Sequence, residues 1–146
     1  MKNSKNIFLI EDDKDDQDFF TEALSEIENA NLFAIANNGK EAIEKLKNSA
    51  ILPDLIFMDI NMPLMNGIEC LISVSKNSLT KNIPVVMLTT DTEKMELVQK
   101  LGAKAFIKKP SNGKILREKI EQMINLDFIV ESRIASQTFH RTLASY

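Results

Sequence analysis

IFLIEDDKDD, residues 7–16, runs straight from large apolar side chains into Glu11, Asp12, Asp13, Asp15 and Asp16. The chain leaves its own core and stacks negative charge at the exit. Two carboxylates ~5 Å apart at an effective dielectric of ~20 repel each other by about 3 kcal/mol. Either these charges spread into water or something offsets them, and the rest of the pattern decides which. A short apolar run that ends at a polar boundary reads as a buried strand, here NIFLIE at 6–11. Phe19, Phe20, Ala23, Leu24 and Ile27 then recur at the spacing of one helix face.

The same unit repeats outward from this stretch. LFAIA at 32–36 predicts a second strand. Asn38 followed by Glu41 resembles a capping box that opens a helix through Ala42, Ile43 and Leu46. Pro53 punctuates before DLIFMD, a third strand. Asn66 and Glu69 repeat the cap signal ahead of Ile68, Leu71 and Ile72. PVVMLT is a fourth strand, and Thr90 with Glu93 predicts the next cap, before Met95, Val98 and Leu101. AFI at 105–107 is a short fifth strand, and Ser111 is placed to cap a helix carrying Ile115, Leu116, Ile120, Met123 and Ile124. Five continuous apolar strands alternating with amphipathic helices predict an α/β fold, a doubly wound parallel sheet covered on both faces. In such sheets ligands bind beyond the carboxyl ends of the strands.

Composition narrows the class. The chain has 146 residues, 44% hydrophobic and 27% charged, enough for one domain with a real core. A net charge of −3, with no basic patch interleaved with aromatics, argues against a nucleic-acid partner. The single cysteine, Cys70, forms no intrachain disulfide and reads as a small apolar residue; a reducing, cytoplasmic compartment is the expectation. The apolar run ending at Glu11 is too short for a signal peptide or a membrane span. His140 is the only histidine and cannot build a metal cluster.

The strand ends carry the chemistry. Strand one ends in Glu11-Asp12-Asp13, strand three in Asp59, strand four in Thr89-Thr90-Asp91, and strand five in Lys108-Lys109-Pro110. A parallel sheet gathers these on one edge. Clustered carboxylate oxygens suit a hard divalent cation such as Mg²⁺, which would offset their repulsion. Asp13, Asp15 and Asp16 are read instead as a solvated first helix turn, where acids favour the helix dipole.

At these residues the chain resembles the receiver domains of two-component response regulators. The motifs are Glu11-Asp12, MDINMPLMNG around Asp59, Thr89 after VVML, and KKP at 108–110; the resemblance covers residues 6 to about 125. It implies a flavodoxin-like (βα)5 fold with strand order 2-1-3-4-5, the order for which the chemotaxis receiver is a standard example. It further implies that Asp59 is the phosphoacceptor and that Asp12 binds Mg²⁺ directly, with Glu11 acting through water. The Asn61 backbone carbonyl would complete the metal site. Thr89 and Lys109 would bind phosphoryl oxygens, and Thr89 with Phe106 would form the switch. The implied partners are a sensor histidine kinase or phosphotransfer protein and a downstream protein on the face of the fourth helix, fifth strand and fifth helix. The resemblance implies no enzyme beyond self-phosphorylation and slow self-dephosphorylation.

Two positions depart from the family pattern: Thr90, where Ala or Gly is usual, and Ser111, where Phe is frequent. Rival readings are a degenerate receiver serving as a scaffold and a Mg²⁺-dependent aspartate-nucleophile phosphatase. The phosphatase needs an acid two residues after the nucleophile, where this chain has Asn61, which cannot donate a carboxylic proton. A flavin or nucleotide carrier is disfavoured because the acidic loop after strand one would repel phosphate. The expected organisation is a receiver over 1–125 and an extension over 126–146, too short for a DNA-binding output domain. Phe128, Ile129, Val130, Ile134, Phe139 and Leu143 make that extension too apolar for a typical disordered tail. A further helix is expected there, packed on its own domain or on a second copy as a homodimer.

Overall fold

The alternation of strands and helices is realised in the computed structural model of the chain, which describes residues 4–126. The strands are β1 (Lys5–Ile10), β2 (Ala30–Ala36), β3 (Leu55–Met58), β4 (Val85–Thr89) and β5 (Ala105–Lys108). The helices are α1 (Lys14–Ser25), α2 (Gly39–Asn48), α3 (Gly67–Lys76), α4 (Met95–Lys100) and α5 (Gly113–Ile124), with a 3₁₀ turn at Thr92–Lys94 before α4. The sheet is parallel, in the order β2-β1-β3-β4-β5. The flavodoxin-like fold class is therefore the one observed. The expected helix in the extension falls on 127–146, outside the described residues.

Period-two alternation along each strand splits the core in two. Phe8, Ile10, Ile56, Met58, Val85 and Met87 point to one face, against Ala42, Leu46, Leu71, Val74 and Val98 from α2, α3 and α4. Ile7, Leu9, Leu55, Phe57, Val86 and Leu88 point to the other, against Phe20, Leu24, Leu116 and Ile120 from α1 and α5. Burying one such large side chain contributes about 1.5–3 kcal/mol. Both faces of the central strands are therefore held, and the strand ends cannot shift without opening a core. Cys70 belongs to the first cluster, wholly buried, and burial pushes its thiol up to about 12, as suits an inert apolar residue.

Several local expectations are corrected. β2 begins at Ala30, not at residue 32, because Ala30 and Asn31 pair with Lys5 and Asn6 although they lie outside the apolar run. Asn38 does cap α2 by accepting from the Glu41 N–H, but the Glu41 carboxylate turns to the Asn37 amide, so the reciprocal box is incomplete. The complete box is at Asn66 and Glu69. Thr90 caps nothing as an N-cap side chain: the chain first makes the 3₁₀ turn, and the Asp91 N–H donates to the Thr89 hydroxyl instead (3.2 Å). For α5 the cap is Asn112, not Ser111; its side-chain Oδ1 accepts from the Lys114 and Ile115 N–H groups.

Gly67 closes the loop after β3. Its N–H donates to the Ile60 carbonyl at 2.7 Å, and a Cβ there would lie 2.0 Å from the Asp59 carbonyl oxygen and 2.8 Å from the Ile60 Cα. Both neighbours are backbone, so neither can swing away. Gly67→Ala should cost about 1–3 kcal/mol through overpacking, read as a lower denaturation midpoint. An unchanged midpoint would mean that this loop does not rest on Gly67.

Candidate functional site

Sheet register brings the four strand ends together. Ile10 pairs with Met58, Met58 with Met87, and Thr89 with Lys108. One residue further on, the Asp59 N–H donates to the Ile10 carbonyl (3.0 Å) and the Lys109 N–H to the Thr89 carbonyl (2.9 Å). Glu11, Asp59, Thr89 and Lys109 are thus fixed by backbone before any side chain is considered.

The side chains then converge. Glu11, Asp12 and Asp59 each offer a carboxylate oxygen, and these lie within 4.8 Å of one another. Glu11 and Asp59 are buried and Asp12 is exposed. The Lys109 ammonium makes three ion pairs: 2.7 Å to Glu11 Oε1, 2.8 Å to Asp16 Oδ2 and 3.1 Å to Asp59 Oδ2. The other Asp59 oxygen accepts from the Ile60 N–H at 2.8 Å. Glu11 Oε2 accepts from the Asp13 N–H, and the Gln17 side chain donates to the Glu11 carbonyl and to Asn37. Three hard oxygen donors of this kind fit a small divalent cation. Asn61, two residues after Asp59, is exposed in the β3–α3 loop. Thr89 is wholly buried, as is Phe106 on the neighbouring strand β5.

Burial and neighbouring charge shift the protonation of Glu11 and Lys109. Burial, with the Asp59 charge adding to it, pushes Glu11 up to about 7; the hydrogen bonds from Lys109 and the Asp13 N–H pull the other way without cancelling it. Burial disfavours the Lys109 ammonium, but its bonds to Asp16 and Glu11 and the Asp59 charge outweigh that and hold it above the ordinary lysine range.

Asp16 does lie in the first turn of α1, partly exposed, but its carboxylate also pairs with Lys109. It sits one turn before Phe20 and two before Ala23, on the core-facing side of α1. Helical side chains lean toward the N-terminus, so its carboxylate reaches back to Lys109. That periodicity was the signal available in the sequence. Asp13 is the N-cap of α1, accepting from the Asp16 N–H, as a helix-entry acid should.

A doubly wound domain whose strand ends present an acidic triad and a lysine matches one described family. The model of the response regulator receiver domain matches residues 7–121. The chain belongs to this family, the receiver domains of two-component systems. Chemotaxis protein CheY1 of Helicobacter pylori is 40% identical over 91 residues, which cover 61% of this chain and 73% of that protein. The sensor histidine kinase CheAY of the same species is 37% identical over 95 residues, 63% of this chain but 12% of the kinase. Among solved structures, the phosphorylated cyanobacterial phytochrome response regulator RcpA superposes with a TM-score of 0.75 at 30% identity, covering 82% of this chain and 91% of that one.

The Glu11 shift has a measurable consequence. The folded protein holds this proton more tightly than the unfolded chain, so from about pH 4.5 to pH 7 the folded state binds more protons. Stability therefore falls as pH rises through that window. In metal-free protein the loss should be on the order of 1–3 kcal/mol, by urea denaturation at a series of pH values. Glu11→Gln should flatten it; an equal slope in that variant would place the titration elsewhere.

Proposed function

We propose that the chain accepts a phosphoryl group on Asp59 from a sensor histidine kinase or phosphotransfer protein, in a Mg²⁺-dependent reaction. The observation that carries this reading is the convergence of Glu11, Asp12 and Asp59 within 4.8 Å beside the Lys109 ammonium. Glu11, Asp12, Asp59 and the Asn61 backbone carbonyl would hold the cation, Glu11 through water. Mg²⁺, when bound, supplies Lewis-acid stabilisation of the phosphoryl oxygens.

The chain's own residues do the rest. An Asp59 carboxylate oxygen attacks phosphorus; the new P–O bond forms as the donor's P–N bond breaks, and the electron pair leaves with the imidazole nitrogen. Lys109 and the Ile60 N–H hold the two Asp59 oxygens in fixed directions, so little rotational freedom is lost on reaction. Lys109 and the Thr89 hydroxyl then bind phosphoryl oxygens, and Thr89 gives up the Asp91 N–H to do so.

Thr89 and Phe106 occupy adjacent strands, both wholly buried, so a shift of one opens space for the other. That coupling would carry the signal to the face of α4, β5 and α5, where Leu97 and Ile115 are exposed, and a downstream protein would read it there. Two such packings need differ by only a few kcal/mol for phosphorylation to shift the population. On this reading the chain turns over no separate substrate and acts as a cytoplasmic signalling protein rather than an enzyme. Among the described residues no helix is long and apolar enough to cross a membrane.

Incubation with acetyl phosphate and Mg²⁺ should add the mass of one phosphoryl group, and Asp59→Asn or chelation of the metal should abolish the addition. Phosphorylation that persists in Asp59→Asn would overturn the assignment. A chain that takes up no phosphoryl group at all would instead be a scaffold.

A further inference from the structure

An ammonium has three N–H donors, and those of Lys109 are matched by three carboxylates. These partners are not equivalent. Glu11 and Asp59 come from inside the pocket, with side chains 3% and 9% exposed, whereas that of Asp16 is 43% exposed and belongs to the first turn of α1. The ammonium sits 2.7 Å from Glu11 and 2.8 Å from Asp16, but 3.1 Å from Asp59. All three carboxylates hold it, so its charge is shared between Asp59 and two other acids.

We propose that Asp16 is a latch on Lys109: a positioning residue that competes with the phosphoryl group for the ammonium and so biases the receiver toward its unphosphorylated state. This rests on the reading of Asp59 as phosphoacceptor. For Lys109 to follow a phosphoryl oxygen it must loosen from Asp16, 93 residues away in the chain. Asp16 is half in water and gives up the pair cheaply. Its own negative charge opposes the incoming phosphoryl charge from the same side. The fold does not need the carboxylate for the helix entry, because the N-cap bond to Asp13 uses the Asp16 backbone N–H. Asp16 thus changes what Lys109 is free to do without shaping the sheet that presents it.

The test is the affinity of the full chain for beryllofluoride, a non-covalent phosphoryl mimic, in saturating Mg²⁺, followed by fluorine NMR. Asp16→Asn, which keeps the side-chain shape, and Asp16→Ala should bind about two- to fivefold tighter, the scale of one partly exposed ion pair. Asp16→Glu, which keeps the charge, should return toward the unaltered protein. The gain should vanish in a Lys109→Gln background, because the latch acts only through that ammonium. A folding defect would weaken binding and cannot imitate the gain. Unchanged or weaker binding in Asp16→Asn would overturn the latch while leaving the phosphoacceptor reading intact. Failure of the unaltered protein to bind beryllofluoride would overturn both.

Discussion

The Lys109 ammonium between Glu11, Asp16 and Asp59 is the constraint on which the acidic edge depends. Without a cation there, three or four carboxylates would repel one another at several kcal/mol per close pair. Burial makes the problem worse, since charge removed from water must be paired. One lysine cannot neutralise the cluster by itself. Burial still pushes the Glu11 carboxyl up to about 7 despite the Lys109 contact, so the cluster would favour further positive charge. The same arrangement answers the question raised by residues 7–16: the negative charge is gathered to meet positive charge supplied from elsewhere.

The rest of the fold exists, in effect, to hold that geometry still. Glu11, Asp59, Thr89 and Lys109 follow directly on, or end, β1, β3, β4 and β5, whose apolar residues are locked into two separate core layers. Backbone bonds from Asp59 to Ile10 and from Lys109 to Thr89 carry the sheet's order one residue past its edge. Gly67 lets the next loop fold back against Asp59. In that loop Leu64 holds a left-handed φ of 65° and is 83% exposed, a conformation costing roughly 1–2 kcal/mol for a residue with a Cβ. The loop is therefore bent at some expense beside the acid it serves.

Much of this was legible in the chain because it is written in local patterns. Apolar runs and helical spacing located all five strands, and the polar residues ending them marked the site. Strand order was not local, and came from resemblance before the sheet displayed it. The cap of α5 at Asn112 is not singled out by the sequence, because Ser111 and Asn112 are both cap-competent and only the path of the chain selects between them. Asp16 was missed for a deeper reason. Helical spacing to Phe20 and Ala23 marks its core-facing side, but its partner Lys109 follows β5, so the sequence shows which way Asp16 faces and only the tertiary fold supplies its partner. Thr89 and Phe106 are both wholly buried, on the adjacent strands β4 and β5.

On the proposed function the acidic triad is a cation site and not merely a helix entry. Calorimetric titration of the metal-free protein with Mg²⁺ tests it most directly. Asp12 is the exposed member of the triad, so its removal leaves the core and the Lys109 pairs in place. The account predicts that the unaltered protein binds Mg²⁺ and that Asp12→Ala binds at least about tenfold more weakly, since even outer partners of a metal site matter on that scale. Equal affinity in the two proteins, or no binding in either, would contradict it.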